Sequence, residues 1–209
     1  MLLSVWCKTG RNKMSDNVLA AFQFPFHFDP TRLKAELENI QPEEWTPHFN
    51  TNIYEGEWSG VALRSIAGRT LQLYPDPTAT GSFTNTELLE RCPYYQQVLA
   101  SFQCPLTSVR LLKLKARSNI LEHRDYKLGF EDGEMRLHIP VVTNPAVAFF
   151  LNGERVPMQA GETWYVNVNL PHRVDNASDT DRIHLVMDCV VNEWLAGFLP
   201  VAVDNNVSR

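Results

Sequence analysis

Two histidines and an aspartate in this chain have the donor chemistry to hold a metal ion, and an arginine near them can hold an acid. His123 and Asp125 stand two positions apart, so on a strand both side chains leave from one face and can grip one ion. His172 completes the set from a distant strand, with Pro171 biasing Leu170 toward extended backbone just ahead of it. Two neutral imidazoles and one carboxylate on a single face suit divalent iron and leave the opposite positions open. Arg182, ten positions past His172, adds a planar, permanently charged guanidinium that can take both oxygens of a carboxylate. The set predicts an Fe(II) centre served by an acidic cosubstrate. Four of the six histidines (His123, His138, His172, His184) fall between residues 123 and 184, a clustering that core hydrogen bonding alone does not explain.

Other residues gather around this set. Arg136 and His138 lie two apart on an expected strand whose face continues to Pro140. If that face lines the pocket, it offers a cation and an imidazole to carboxylates of the cosubstrate or to an acidic group of the substrate. The competing reading of Arg136 is an ion pair at the rim with Glu134 or a nearby acid. His184 shares parity with Arg182 and reads as a hydrogen-bonded barrel histidine rather than a ligand. Asn167 and Asn169 either orient His172 through hydrogen bonds or bridge a bend. Trp58 reads as core and Arg64 as surface, with pocket lining as the other reading of each.

The elements that must position these groups are mostly strands. Phe22–Phe28 alternates as a strand, and Asp29 with Pro30 opens a helix carrying Leu33, Leu37 and Ile40 on one face. Residues 41–52 show no period, 53–75 read as strands broken by glycines, and Asp76–Phe83 reads as a loop. Thr86–Phe102 suits a helical pair interrupted near Pro93, with Tyr94 and Tyr95 in packing roles. From Val109 the period becomes two: Leu112, Leu114 and Ala116 share one face, while Lys113, Lys115 and Arg117 share a solvated one. Further strands follow at 120–125, 135–142, 147–151, 154–158, 161–166 and 182–188. Asn152-Gly153 is a strong hairpin signal between the third and fourth of these. Short antiparallel strands with tight turns imply a mainly β fold with flanking helices, a double-stranded β-helix or cupin-like jelly roll.

Bulk composition narrows the function classes. With 209 residues, 44% hydrophobic and 21% charged, the chain reads as one globular domain over 15–200, with its jelly-roll core near 107–192. Residues 1–14 read as an extension and 201–209 as a frayed tail. A net charge of -5 gives no basic field for nucleic acid or an anionic membrane, which points to a small-molecule or peptide substrate. Cys7, Cys92, Cys104 and Cys189 follow no metal or disulfide spacing. With no secretory or membrane-spanning pattern in view, a cytoplasmic setting is expected.

Four motifs in order resemble the aspartyl/asparaginyl and proline hydroxylases, which are Fe(II)- and 2-oxoglutarate-dependent oxygenases. They are His-Arg-Asp (123–125), Arg-Leu-His-Ile-Pro-Val (136–141), Gly-Glu-Thr-Trp-Tyr (161–165), and Pro-His-Arg (171–173) followed by Asp-Arg-Ile-His-Leu-Val-Met-Asp (181–188). The resemblance covers roughly residues 107–192. It implies iron on His123, Asp125 and His172, the distal carboxylate of 2-oxoglutarate on Arg182, and cosubstrate or substrate on Arg136 and His138. It also implies hydroxylation of an amino acid, free or within a peptide or small metabolite, with release of succinate and CO2. The animal branch of that family lacks the acidic metal ligand, so a chain that retains Asp125 looks closer to the bacterial stand-alone branch. Two rival readings stand beside it: a metal-dependent cupin that uses no 2-oxoglutarate, and a non-catalytic metal- or ligand-binding jelly roll.

Overall fold

The alternating stretches condense into two antiparallel sheets in a computed structural model, which describes residues 12–15, 18–73 and 81–200. The larger sheet runs in the order β1 (Asn12–Ser15), β2 (Val18–His27), β12 (Glu162–Val166), β9 (Glu134–Val142), β14 (Arg182–Val190), β7 (Leu106–Leu114), β5 (Trp58–Ile66) and β3 (Thr46–Pro47), with β6 (Phe83–Asn85) also on β5. The smaller sheet runs β11 (Glu154–Val156), β10 (Val147–Leu151), β13 (His172–Asn176), β8 (Asn119–His123) and β4 (Tyr54–Glu55). This is the jelly-roll arrangement expected of the sequence. The extension expected over residues 1–14 overlaps β1, which pairs with β2. The remainder of that extension with Cys7, most of the 76–83 loop and the 201–209 tail lie outside the described residues.

Strand parity divides the core in two. On β9, Met135, Leu137, Ile139 and Val141 face one hydrophobic cluster, joined by Leu111 of β7 and by Leu185 and Met187 of β14. Helices α1 (Pro30–Ala35), α2 (Glu87–Glu90), α3 (Pro93–Ala100) and α4 (Glu193–Ala196) cover that side, contributing Leu33, Leu89, Val98 and Leu195. The opposite face packs against the smaller sheet through Leu112, Leu114, Trp164 and Val186, which meet Ile120, Phe149, Leu151 and Val174. A large sheet sandwiched this way is buried on both faces, so β14 is buried at all but its last residue.

Local chemistry accounts for the helices. Asp29 Oδ1 accepts from the Thr31 and Arg32 amides at 2.8 and 3.3 Å, and Pro30 fills the first turn, as expected. Thr86 caps α2, and Tyr95 donates its hydroxyl to the Leu33 carbonyl at 2.8 Å, tying α3 to α1. Tyr94 also serves packing, its hydroxyl accepting from the Asp29 amide. The Asn152-Gly153 turn has both residues at positive φ (49° and 78°) and joins β10 to β11.

Several expectations are corrected. Thr70–Leu73 forms no strand, and Leu71 lies 72% exposed. The strand that pairs with Arg64–Ile66 is instead β6. Arg64 is no free surface group: it donates to the carbonyls of Leu106 and Phe83 and to Asn85, stapling three strands. The expected solvated side holds, with Lys115 and Arg117 exposed and Lys113 half-buried over the Trp45 ring, while Val109 and Leu111 on the same side are buried. Arg110, on the opposite face, is fully buried.

Candidate metal centre

The inner faces of the two sheets bring the three predicted ligands together. His172 opens β13 and lies directly opposite His123 at the end of β8, so the sheet register itself sets the imidazoles side by side, with ring centroids 4.3 Å apart. Asp125 is not on the strand, as two-residue parity had suggested, but two positions beyond its end. Its amide donates to the Val168 carbonyl at 2.9 Å, and that bond folds the loop back over the histidines. The three donor atoms lie within 4.8 Å of one another, and His123 Nε2 is 3.8 Å from Asp125 Oδ1.

The donor set fits a divalent ion. His123 Nδ1 lies 2.8 Å from the Leu121 carbonyl and His172 Nδ1 lies 3.1 Å from that of Leu170. A carbonyl only accepts, so each Nδ1 carries a proton and each Nε2 is the nitrogen that faces a metal. Burial lowers the pKa of His172 to about 4, so its ring is neutral at physiological pH. Burial opposes the charge of Asp125, yet the Arg136 guanidinium holds its carboxyl below the ordinary range.

Asn167 and Asn169 act on the loop of Asp125 rather than on His172. Asn167 Nδ2 donates to both carboxylate oxygens of Glu131, and Asn169 Nδ2 reaches Glu131 and Asp132 at 3.0 and 2.7 Å. Asn169 Oδ1 accepts weakly from Leu128, and its carbonyl accepts from Arg124 at 2.7 Å. The acidic stretch after the metal loop is therefore the counterpart that holds the loop down.

A cavity of about 450 Å³ opens beside the three donors and is also lined by Arg136, His138 and Arg182. Arg182 is buried, and burial lowers its pKa to about 9, which leaves it cationic at neutral pH. No carboxylate pairs with it among the described residues, and its Nε has no partner. Its Nη2 lies 2.8 Å from His184 Nδ1. A guanidinium can only donate, so His184 Nδ1 accepts; the 3.4 Å approach of His138 Nδ1 to the same atom then puts the proton on His138 Nδ1. His138 Nε2 is left as a buried acceptor without a partner among the described residues. Burial, followed by the Arg182 charge, holds both histidines well below the usual imidazole range.

Arg136 pairs with nearby acids, as one of its two readings had it, but these are Asp188 and Asp125 in the interior rather than Glu134 at the rim. It shares the inner face with His138, but Nε and Nη2 grip both oxygens of Asp188 at 2.7 and 3.0 Å, and Nη1 donates to Asp125 Oδ2. Asp188 also accepts from Arg110 Nη2 at 3.1 Å. Burial raises the Asp188 pKa, but Arg110 and Arg136 together bring it down to about 2. Sequence reasoning missed Asp188 and Arg110, although both carried a signal. Asp188 shares parity with Arg182 and His184, and Arg110 shares parity with the apolar residues of its strand. His48 was missed for want of any period around it. It stacks on Trp58 at 3.8 Å, and the two form one cavity wall, with the Trp58 indole N–H buried and without a partner among the described residues. At the mouth stand Phe49 and Tyr126, 74% and 77% exposed.

Residues 28–191 match the sequence profile of the family described as aspartyl/asparaginyl beta-hydroxylase. The chain is 25% identical over 174 residues to an L-proline cis-4-hydroxylase of Rhizobium meliloti (strain 1021), a match covering 82% of this chain and 61% of that protein's length. Among solved structures it resembles an oxidoreductase of the 2OG-Fe(II) oxygenase family from Burkholderia pseudomallei, with TM-score 0.51, 12% identity, and 82% and 85% of the two chains covered. It likewise resembles AviO1 from Streptomyces viridochromogenes Tue57, with TM-score 0.50, 14% identity, and 85% and 92% covered. At such identities these two likenesses speak for the fold.

Proposed function

The chain belongs to the aspartyl/asparaginyl beta-hydroxylase family, and on that premise we propose that it is an Fe(II)- and 2-oxoglutarate-dependent dioxygenase that hydroxylates an amino acid, free or in a peptide or small metabolite. Succinate and CO2 are the coproducts. The observation that carries this reading is a pair: three potential metal donors within 4.8 Å of one another, and a buried guanidinium lining the same cavity that no carboxylate pairs with among the described residues.

In this reading His123, Asp125 and His172 hold the iron, which when bound supplies the oxygen activation and the oxidative decarboxylation of 2-oxoglutarate. Arg182 receives the distal carboxylate. A buried cation is costly unless paired, so the pocket binds a small dianion in preference to a neutral molecule. His138 offers an acceptor to an N–H or O–H entering the cavity. Trp58, Phe149, Val168 and Val186 make the walls largely apolar, which excludes water from the reacting centre and fixes which C–H faces it. A volume of about 450 Å³ suits two small molecules together, and with the L-proline relative this favours a free amino or imino acid. A cytoplasmic setting fits such a substrate. Among the described residues no helix is long and apolar enough to cross a membrane.

The test is incubation of purified protein with Fe(II), ascorbate and 2-oxoglutarate against free L-proline, other amino acids and short peptides. A gain of about 16 Da, the mass of one oxygen atom, with matched succinate is expected. Iron uptake that His172→Ala leaves intact, or no succinate from any substrate with iron bound, would overturn the reading.

A further inference from the structure

We propose that Arg136 is a positioning residue that holds Asp125 as a single-oxygen metal ligand, keeping its second oxygen out of the coordination shell so that one more position stays open. This rests on the metal centre proposed above. The two oxygens of Asp125 have different surroundings. Oδ1 lies beside His123 Nε2 at 3.8 Å, whereas Oδ2 is taken by Arg136 Nη1. A carboxylate free at both oxygens can chelate an ion and fill two positions. Where three protein ligands sit in a six-coordinate shell, a chelating acid would leave two open positions, and a cosubstrate binding through two atoms together with oxygen requires three.

The clamp is built rather than incidental. Asp188 of β14 stands directly across from Arg136 of β9 in the strand register. Its carboxylate takes Nε and Nη2 at 2.7 and 3.0 Å, which fixes the plane of the guanidinium and aims Nη1 at the metal loop. Arg110 of β7, the next strand on, secures Asp188 from the other side and donates at 2.5 Å to Ser108 Oγ. Arg110, Arg136 and Asp188 are all buried, and two cations face two carboxylates, so the row carries no net charge into the site. With its three nitrogens so engaged, Arg136 is held in place by the protein's own carboxylates.

The experiment counts water molecules on bound Mn(II) by water-proton relaxation, in the unsubstituted protein and in Arg136→Met. Met leaves the Arg110–Asp188 pair in place, and melting curves report whether the variant folds. The expected result is Mn(II) uptake at equal or tighter affinity with one fewer coordinated water, because the released oxygen of Asp125 takes that position. An unchanged water count in the loaded variant overturns the clamp while leaving the metal centre standing. Loss of Mn(II) uptake by a folded variant also overturns it, since a chelating acid binds at least as well. Failure of the unsubstituted protein to bind Mn(II) removes the metal centre and the clamp together. Should Arg136→Met not fold, Arg136→Gln decides by the same count. Its amide reaches Asp188 but is too short to span to Asp125 as well.

Discussion

Chemistry at the site is decided by which charged groups already have partners. Asp188 satisfies Arg110 and Arg136, and Asp125 takes the remaining arm of Arg136. Among the described residues Arg182 meets the neutral His184 and its Nε has no partner. A lone buried cation is a cost borne by the ligand-free protein. Replacing Arg182 by Met is therefore expected to leave the ligand-free melting temperature unchanged or higher, while the KM for 2-oxoglutarate rises roughly 100-fold, the scale of losing a charge-assisted buried pair. Calorimetry and initial rates with varied 2-oxoglutarate check both halves, and metal uptake should not move.

At the scale of elements, two devices bring the ligands together: the pairing of β8 with β13, and the folded-back loop of Asp125. The loop depends on Asn169, which reaches Glu131, Asp132 and the Leu128 amide. Asn169→Ala is expected to weaken Co(II) binding about 10-fold, as loss of an outer hydrogen-bonding partner does, with little change in melting. Titration calorimetry reads that outcome. A separate constraint lies before β12, where Gly161 adopts φ +81° and its amide donates to the Pro140 carbonyl. A Cβ there would stand 2.2 Å from the Phe28 carbonyl oxygen, a backbone atom that cannot yield cheaply. Gly161→Ala is expected to cost on the order of 3 kcal/mol, combining a left-handed backbone with a clash, measured by denaturant unfolding.

Across the whole molecule, the row Arg110–Asp188–Arg136 crosses three neighbouring strands at the centre of the large sheet and links site to stability. The Asp188 carboxyl sits at about 2 when folded, below the ordinary aspartate range near 4 that it regains on unfolding. A depressed carboxyl stabilises the fold fully above its unfolded pKa and loses that contribution as pH falls through the folded value. Its share, on the order of 2 kcal/mol, is thus present from about pH 5 upward and disappears between about pH 4 and 2. Chemical unfolding at stepped pH should show that decline, and Asp188→Asn should flatten it while lowering stability above pH 5.

Strand periodicity, the Asn152-Gly153 turn and the Asp29 cap could be read from the sequence, because each depends on residue type and short spacing, and residue chemistry singled out His123, Asp125, His172 and Arg182, which share one cavity. The same parity rule put Arg136 and His138 on one face. Tertiary structure alone decided which acid met which base. Arg136 could have served a ligand or a rim acid, and only the register of β14 against β9 set Asp188 across from it. It was likewise folding that carried His48 from an aperiodic stretch onto Trp58, and that bent Asp125 back from beyond its strand. Ion pairs and stacks between distant segments form at ranges no spacing encodes. Donor chemistry is therefore a property of the sequence, and the allocation of charge is a property of the packed sheets.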